Sequence, residues 1–299
     1  MSEDRRYSPP ESPESVTFPD GFLWGASTAA HQVEGHQHNN WSLWEAGAAE
    51  ELAATAPDRL AEEVPRWDEI RDEATNPGNY ISGEAADHYH QYERDFDILR
   101  ELGLNAYRFS VEWSRIEPEK GRFNQEALNH YEAVVDALRE RNIEPFVVLH
   151  HFTDPAWLEN EGGWHSHEAA YHFARYAEKV AERLGGKVRY WVTINEANSY
   201  IFMKYLGGDI WPAWPDAGFN ILKAFKARKV FASAHERASQ AIKKHEHGAQ
   251  IGFVHTSELF RGSGFISKLL ARLLQRATNG FTVGCGPRTL RERTIWAGR

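Results

Sequence analysis

Five short, almost continuously apolar runs, each separated from the next by stretches with helical spacing, constrain this chain more than any other feature. They are FLWGAS (22–27), AYRFSV (106–111), PFVVLH (145–150), YWVTIN (190–195) and IGFVHT (251–256). Each is rich in β-branched and aromatic residues, the pattern of a parallel strand buried on both faces. Between them, Tyr89, Tyr92, Phe96, Leu99 and Leu102 step by three or four residues, as do Leu128, Tyr131, Val134, Val135 and Leu138. Such spacing draws one apolar face along a helix. A third pattern runs through Tyr171, Phe173, Tyr176, Val180 and Leu184 to a stop at Gly185-Gly186, and a fourth covers roughly 220–246. Repeated strand–helix alternation predicts an α/β fold around a parallel sheet.

The flanks differ from this core. Residues 1–16, dominated by Pro, Ser and Glu, read as a disordered leader without the apolar centre of a signal peptide. Residues 45–80 are acidic and show no sustained period, so they read as a loop insertion between the first strand and the helix at 88–102. Residues 17–260 form the main domain, and 261–299 an atypical basic tail, net +7 against −16 for residues 1–260. In that tail Phe265, Ile266, Leu269, Leu270, Leu273 and Leu274 line one helix face, and Phe281-Thr282-Val283 is a weak sixth strand.

Composition removes several function classes. With 43 acidic and 34 basic side chains the net charge is −9, which argues against a general nucleic-acid backbone binder. One cysteine, Cys285, excludes an internal disulfide framework and a Cys-based zinc site. No apolar run approaches the roughly 20 residues that span a bilayer. A globular, cytoplasmic protein with neither nucleic acid nor membrane as partner is the expectation.

Polar residues gather just past the strands, where parallel α/β folds build their sites. They are Gln32-Val33-Glu34-Gly35, then Glu112-Trp113-Ser114-Arg115, then His150-His151 with Asp154-Pro155, then Thr193 to Asn198. Arg108 lies inside an apolar run and needs a carboxylate or amide oxygen, because an unpaired buried cation is costly. Glu196, emerging from YWVTIN, reads either as a general acid or as a helix N-terminal glutamate. Tryptophans 24, 113, 157, 164, 211 and 214 sit near these segments and divide between sugar-stacking faces and core.

The segments FPDGFLWGASTAAHQVEG, YRFSVEWSRIEP, HHFTDPAWL, GGW and WVTINEAN occur in this order. Together they resemble glycoside hydrolase family 1, the β-glucosidase and β-glycosidase family, from about Phe18 to Phe260. The resemblance implies a (β/α)8 TIM barrel that hydrolyses β-linked glycosides with retention and without a cofactor or metal. Carried over, Glu196 is the general acid/base and Asn195 bonds the sugar 2-hydroxyl. Gln32 and His151 hold other hydroxyls, Arg108 orients the nucleophilic carboxylate, and Trp113 belongs to the substrate side. One departure is Phe152-Thr153 after His151, where many members carry Trp-Asp.

Retention needs two carboxyl groups about 5–5.5 Å apart. The family's nucleophile is the glutamate of a Thr-Glu-Asn-Gly-like motif on the seventh strand, and no Glu-Asn-Gly occurs in these 299 residues. Glu258 is a poor substitute, one strand away from Glu196. About five of eight strand–helix units are recognisable, so the chain reads as the incomplete first part of a barrel, inactive by itself. A complementing chain or a homo-oligomer is then a partner to consider, beside a small β-glycoside or oligosaccharide. Two other readings stand beside this one. The first is a carbohydrate-binding pseudoenzyme using Gln32, His151 and Asn195. The second is a metal-dependent barrel hydrolase built on His36-Gln37-His38 and His255.

Overall fold

The computed structural model describes residues 17–207, 214–257, 259 and 261–283. The expected leader lies outside the described residues, as do Trp211, Glu258 and Cys285. Strands β1 (Gly25–Ser27), β2 (Ala106–Ser110), β3 (Glu144–His150), β4 (Tyr190–Asn195) and β5 (Gln250–Val254) fall on the five apolar runs. They pair in parallel, in sequence order with no reversal. Unbroken order is the topology of a curling barrel wall, since a doubly wound sheet reverses direction at a switch point.

Helices α1 (Ala30–Val33), α2 (Asn40–Leu60), α3 (Trp67–Ala74) and α4 (His88–Glu101) lead from β1 to β2. Then come α5 (Trp113–Ile116) and α6 (Gln125–Glu140), and after β3, α7 (Ala156–Asn160) and α8 (Glu168–Leu184). Helices α9 (Ala197–Tyr205) and α10 (Ile221–His245) follow β4, and α11 (Phe265–Val283) follows β5.

The two faces of the sheet meet different surroundings. Tyr107, Phe109, Val147, Leu149 and Trp191 are sealed in one core with residues of α6, α8 and α10. On the opposite face Arg108, Phe146, Tyr190 and Val192 stay partly exposed, with Phe146 and Tyr190 stacked at 4.3 Å across β3 and β4. Half-open lumen residues are what a barrel wall shows when neighbours are missing from its inner side. β1 depends on close approach: a Cβ at Gly25 would stand 2.6 Å from the Ala106 carbonyl oxygen, so only glycine fits there.

Two expectations are corrected. Residues 45–80 are largely helical, in α2 and α3. The buried stripe of α2 is Glu45, Ala49, Leu52, Ala53 and Ala56, which is helical in spacing but built mostly from small side chains. Its start is a reciprocal cap, Asn39 accepting from the Ser42 N–H and Ser42 Oγ accepting from the Asn39 N–H. Secondly, Phe281-Thr282-Val283 is no strand, because α11 runs through it. The tail's apolar face is largely open to solvent. Phe265, Ile266, Leu269, Leu270 and Leu273 are 51–87% exposed, whereas the small Ala271 is buried where α11 meets α9 and α10.

Small residues also set the packing of α8 on α10. Ala177, Ala181, Ala224, Ala227, Ala234 and Ala238 are completely buried. Ala238→Leu should cost about 1–3 kcal/mol by overpacking. The check is a lower urea midpoint with an unchanged slope; an unchanged midpoint would show that this interface has slack.

Candidate active site

The last residues of β4 set the geometry. Pairing with β5 slips register between Val192 and Asn195, and Glu196 follows in the left-handed region at φ 46°, ψ 54°. The kink ends the strand and makes Glu196 the N-cap residue of α9. Its N–H still donates to the Val254 carbonyl at 2.9 Å, so β5 anchors it, and Ser199 Oγ donates to its Oε2 at 3.0 Å. A carboxylate here sits at the positive end of the helix dipole.

Arg108 reaches this strand end from β2. Its Nη2 donates to Asn195 Oδ1 at 2.5 Å and its Nη1 to Ser27 Oγ at 3.0 Å. The partner that a cation in an apolar strand requires is thus an amide oxygen. Burial draws the guanidinium below its ordinary pKa, and the Glu196 carboxylate opposes that drop. Burial, with the charge of Arg108 and of His150 nearby, pushes His151 down to about 3. His151 is therefore a neutral imidazole at ordinary pH, able to donate from one nitrogen and accept at the other. Arg108 Nε and His151 Nδ1 are buried and find no hydrogen-bond partner among the described residues. Unpaired polar atoms clustered at one spot are costly unless a ligand meets them.

The structure thus brings Arg108, His151, Asn195 and Glu196 together. Gln32 lies exposed on α1, and among the described residues no hydrogen bond joins its side chain to the other four. Trp113 is a correction. It is 1% exposed, stacked on Tyr176 at 5.0 Å, with its indole N–H donated to Glu117, so it is core and closed to a sugar ring. Trp164 and Trp214 are likewise buried, Trp157 half-buried, and Trp24 exposed.

Behind the cluster, the polar segments after β1 and β2 bond to each other. Arg115 Nε donates to Glu34 Oε2 at 3.0 Å, and the Tyr131 hydroxyl donates to the same carboxyl group. Burial, only partly offset by Arg115, pushes Glu34 up to about 7. Sequence reasoning gave no role to Asp154, Tyr200 or Lys204, all buried beside the site. Asp154 was visible only as a charged residue within the third polar segment. Among the described residues no group of three or more His, Cys, Asp or Glu could hold a metal ion. No described helix is long and apolar enough to cross a membrane.

A family model for glycosyl hydrolase family 1 matches residues 14–262. The chain belongs to that family. β-Glucosidase A of Thermotoga maritima is 34% identical over 248 residues, covering 81% of this chain and 50% of the relative. Thermostable β-glucosidase B of Thermobispora bispora is 38% identical over 183 residues, 60% of this chain and 34% of the relative. Among solved structures, a β-glycosidase from Pyrococcus horikoshii superposes with a TM-score of 0.72 at 32% identity, covering 88% of this chain and 54% of its own. The Thermotoga maritima β-glucosidase in complex with castanospermine gives 0.70 at 29% identity, with the same two coverages, 88% and 54%. These neighbours establish the five-stranded sheet as part of a family 1 barrel. The chain spans about half the length of the curated relatives it matches.

His151 yields a pH test. An unfolded histidine takes its proton near 6.5, whereas in the fold His151 stays neutral down to about 3. Between those values the unfolded state binds more protons, so stability falls as pH drops through that window. His130 and His235, each pushed down to about 4, act in the same direction. His151→Asn should lose less stability than the wild type between pH 7 and pH 5, read as denaturant midpoints. Equal losses would mean that His151 protonates freely in the fold.

Proposed function

We propose that this chain supplies the acid/base half of a retaining β-glycosidase site and, alone, binds β-glycosides without hydrolysing them. The observation that carries the reading is the Arg108–Asn195 bond, which holds a cation against the residue preceding Glu196. In this assignment Glu196 is the general acid/base and Asn195 bonds the 2-hydroxyl. His151 and Gln32 take other hydroxyls, a role for which a neutral imidazole is suited. Arg108 is the charge that a nucleophilic carboxylate would face, keeping it ionised.

Retention needs that second carboxylate, and the buried acids nearby are committed elsewhere. Glu34 is held by Arg115 and Tyr131, and Glu112 by Ser114 and Thr153. The nucleophile in this reading lies outside these 299 residues, further along a longer chain or on a separate one. The sheet has room for it, since β1 and β5 each pair on one side only among the described residues. Three more strand–helix units would close eight strands. A cytoplasmic setting fits the single cysteine. The castanospermine complex of the Thermotoga maritima relative makes that compound a suitable probe.

Two measurements test the proposal. Titration calorimetry should detect castanospermine or cellobiose binding to the chain, while aryl β-glucoside hydrolysis stays negligible. Proton donation alone contributes only about 10²–10⁴-fold. Retaining turnover that Glu196→Gln abolishes, in protein free of host glycosidase, would overturn the half-site reading. With the missing units supplied, Glu196→Ala should strongly slow substrates with poor leaving groups and hardly affect the first step for very good ones. Equal losses for both would remove Glu196 from the acid/base role.

A further inference from the structure

We propose that Asp154 is a positioning residue that joins three strand-end segments of the sugar site, two through its buried carboxylate and one through its backbone. The inference rests on the assignment of His151, Gln32 and Glu196 to that site. Asp154 is completely buried, four residues after His150 at the end of β3. Its Oδ1 accepts from the Trp164 indole N–H at 2.7 Å and lies 3.0 Å from His150 Nε2. Its Oδ2 accepts from the Tyr200 hydroxyl on α9 at 2.7 Å. The backbone adds a reciprocal pair: the Asp154 N–H donates to Asn40 Oδ1 at 2.8 Å, and its carbonyl accepts from the Asn40 N–H at 3.0 Å.

One residue is thereby bonded to the first turn of α2, to the tip of β3, and to α9. These segments adjoin Gln32, carry His151, and follow Glu196. Neighbouring partners lie far away in sequence, 114 residues for Asn40 and 46 for Tyr200. An ion in this place needs compensation, because burial disfavours its charged form. Burial raises the carboxyl pKa, but His150, Lys204 and the Tyr200 hydroxyl together hold it below the ordinary carboxylate range. Lys204, 5% exposed, is itself bonded to Glu159 Oε1 at 2.5 Å. Both oxygens of Asp154 are occupied by fixed partners, so it has no free acceptor to turn toward a reacting sugar. An apolar side chain could fill the same space, but it would supply none of the carboxylate's directed bonds. Directional bonds in a dry site are what specify a single arrangement of the segments they join.

Asp154→Asn keeps the shape but replaces one acceptor oxygen with a donor, so either Tyr200 or the Trp164–His150 pair loses its acceptor. Amide hydrogen exchange should accelerate together in residues 150–155 and 197–205, with 31–42, which is bonded to the unaltered backbone, and α6 (125–140) unchanged. Castanospermine affinity should fall at least tenfold. Tyr200→Phe, which cuts only the α9 link, should accelerate 197–205 alone. Acceleration confined to 150–155, or spread through α6 in both variants, would overturn the positioning role. Wild-type affinity retained in Asp154→Asn would do so too. If the wild-type chain itself binds no castanospermine, the sugar-site reading fails, and the exchange pattern still decides whether the Asp154 carboxylate ties the tip of β3 to α9.

Discussion

Arg108 stands in the middle of a parallel strand, where its guanidinium is partly withdrawn from water. The cost of an unpaired cation in such a place is several kcal/mol, roughly the scale of a whole domain's net stability. The cation is met by Ser27 on β1 and Asn195 on β4, so the strands must keep the register and curvature that bring these side chains into reach. The arrangement of the site follows from that requirement. Asn195 cannot move without abandoning the guanidinium, and Glu196 is the next residue along. His151 stays neutral partly because Arg108 already occupies the neighbourhood with positive charge.

The sheet divides labour between its faces. Large side chains on the helix-facing side lock the wall to α6, α8 and α10, and this side contains most of the buried apolar area. The lumen face carries the polar groups and remains partly open. On β2 core residues and Arg108 alternate, as the two-residue period of a strand permits, whereas on β4 the register slip before Asn195 brings that side chain to Arg108. Beyond the strand ends Asp154 adds charge and directed hydrogen bonds among the buried rings of Trp164 and Tyr200.

Much of this was legible in sequence, for identifiable reasons. The five strands were readable because a strand buried on both faces leaves an unbroken apolar run, and four of the main helices because large residues mark their inner faces. Helix α2 was not readable, since its buried stripe is three alanines with one leucine and one glutamate and resembles a loop in composition. Arg108 announced that it needed an oxygen partner, but not that Asn195, 87 residues later, would provide it. Trp113 misled because a tryptophan just past a strand can turn toward the lumen or the helices, and one sequence does not say which. Asp154 showed a charge in a suggestive place, while its proposed role depends on residues that only the folded chain brings together.

Glu196 occupies backbone that side chains other than glycine or asparagine adopt reluctantly, at a cost of about 1–2 kcal/mol for a left-handed conformation. Under the proposed acid/base role of Glu196, selection for a stable fold and selection for proton transfer pull in opposite directions at that position. A lineage released from the need to cleave glycosides could exchange the glutamate for glycine or asparagine and gain stability by doing so. The occupant of position 196 across relatives therefore serves as a record of use, with drift toward small or amide side chains marking sites whose chemistry has lapsed. In this chain the strained position still carries a carboxylate.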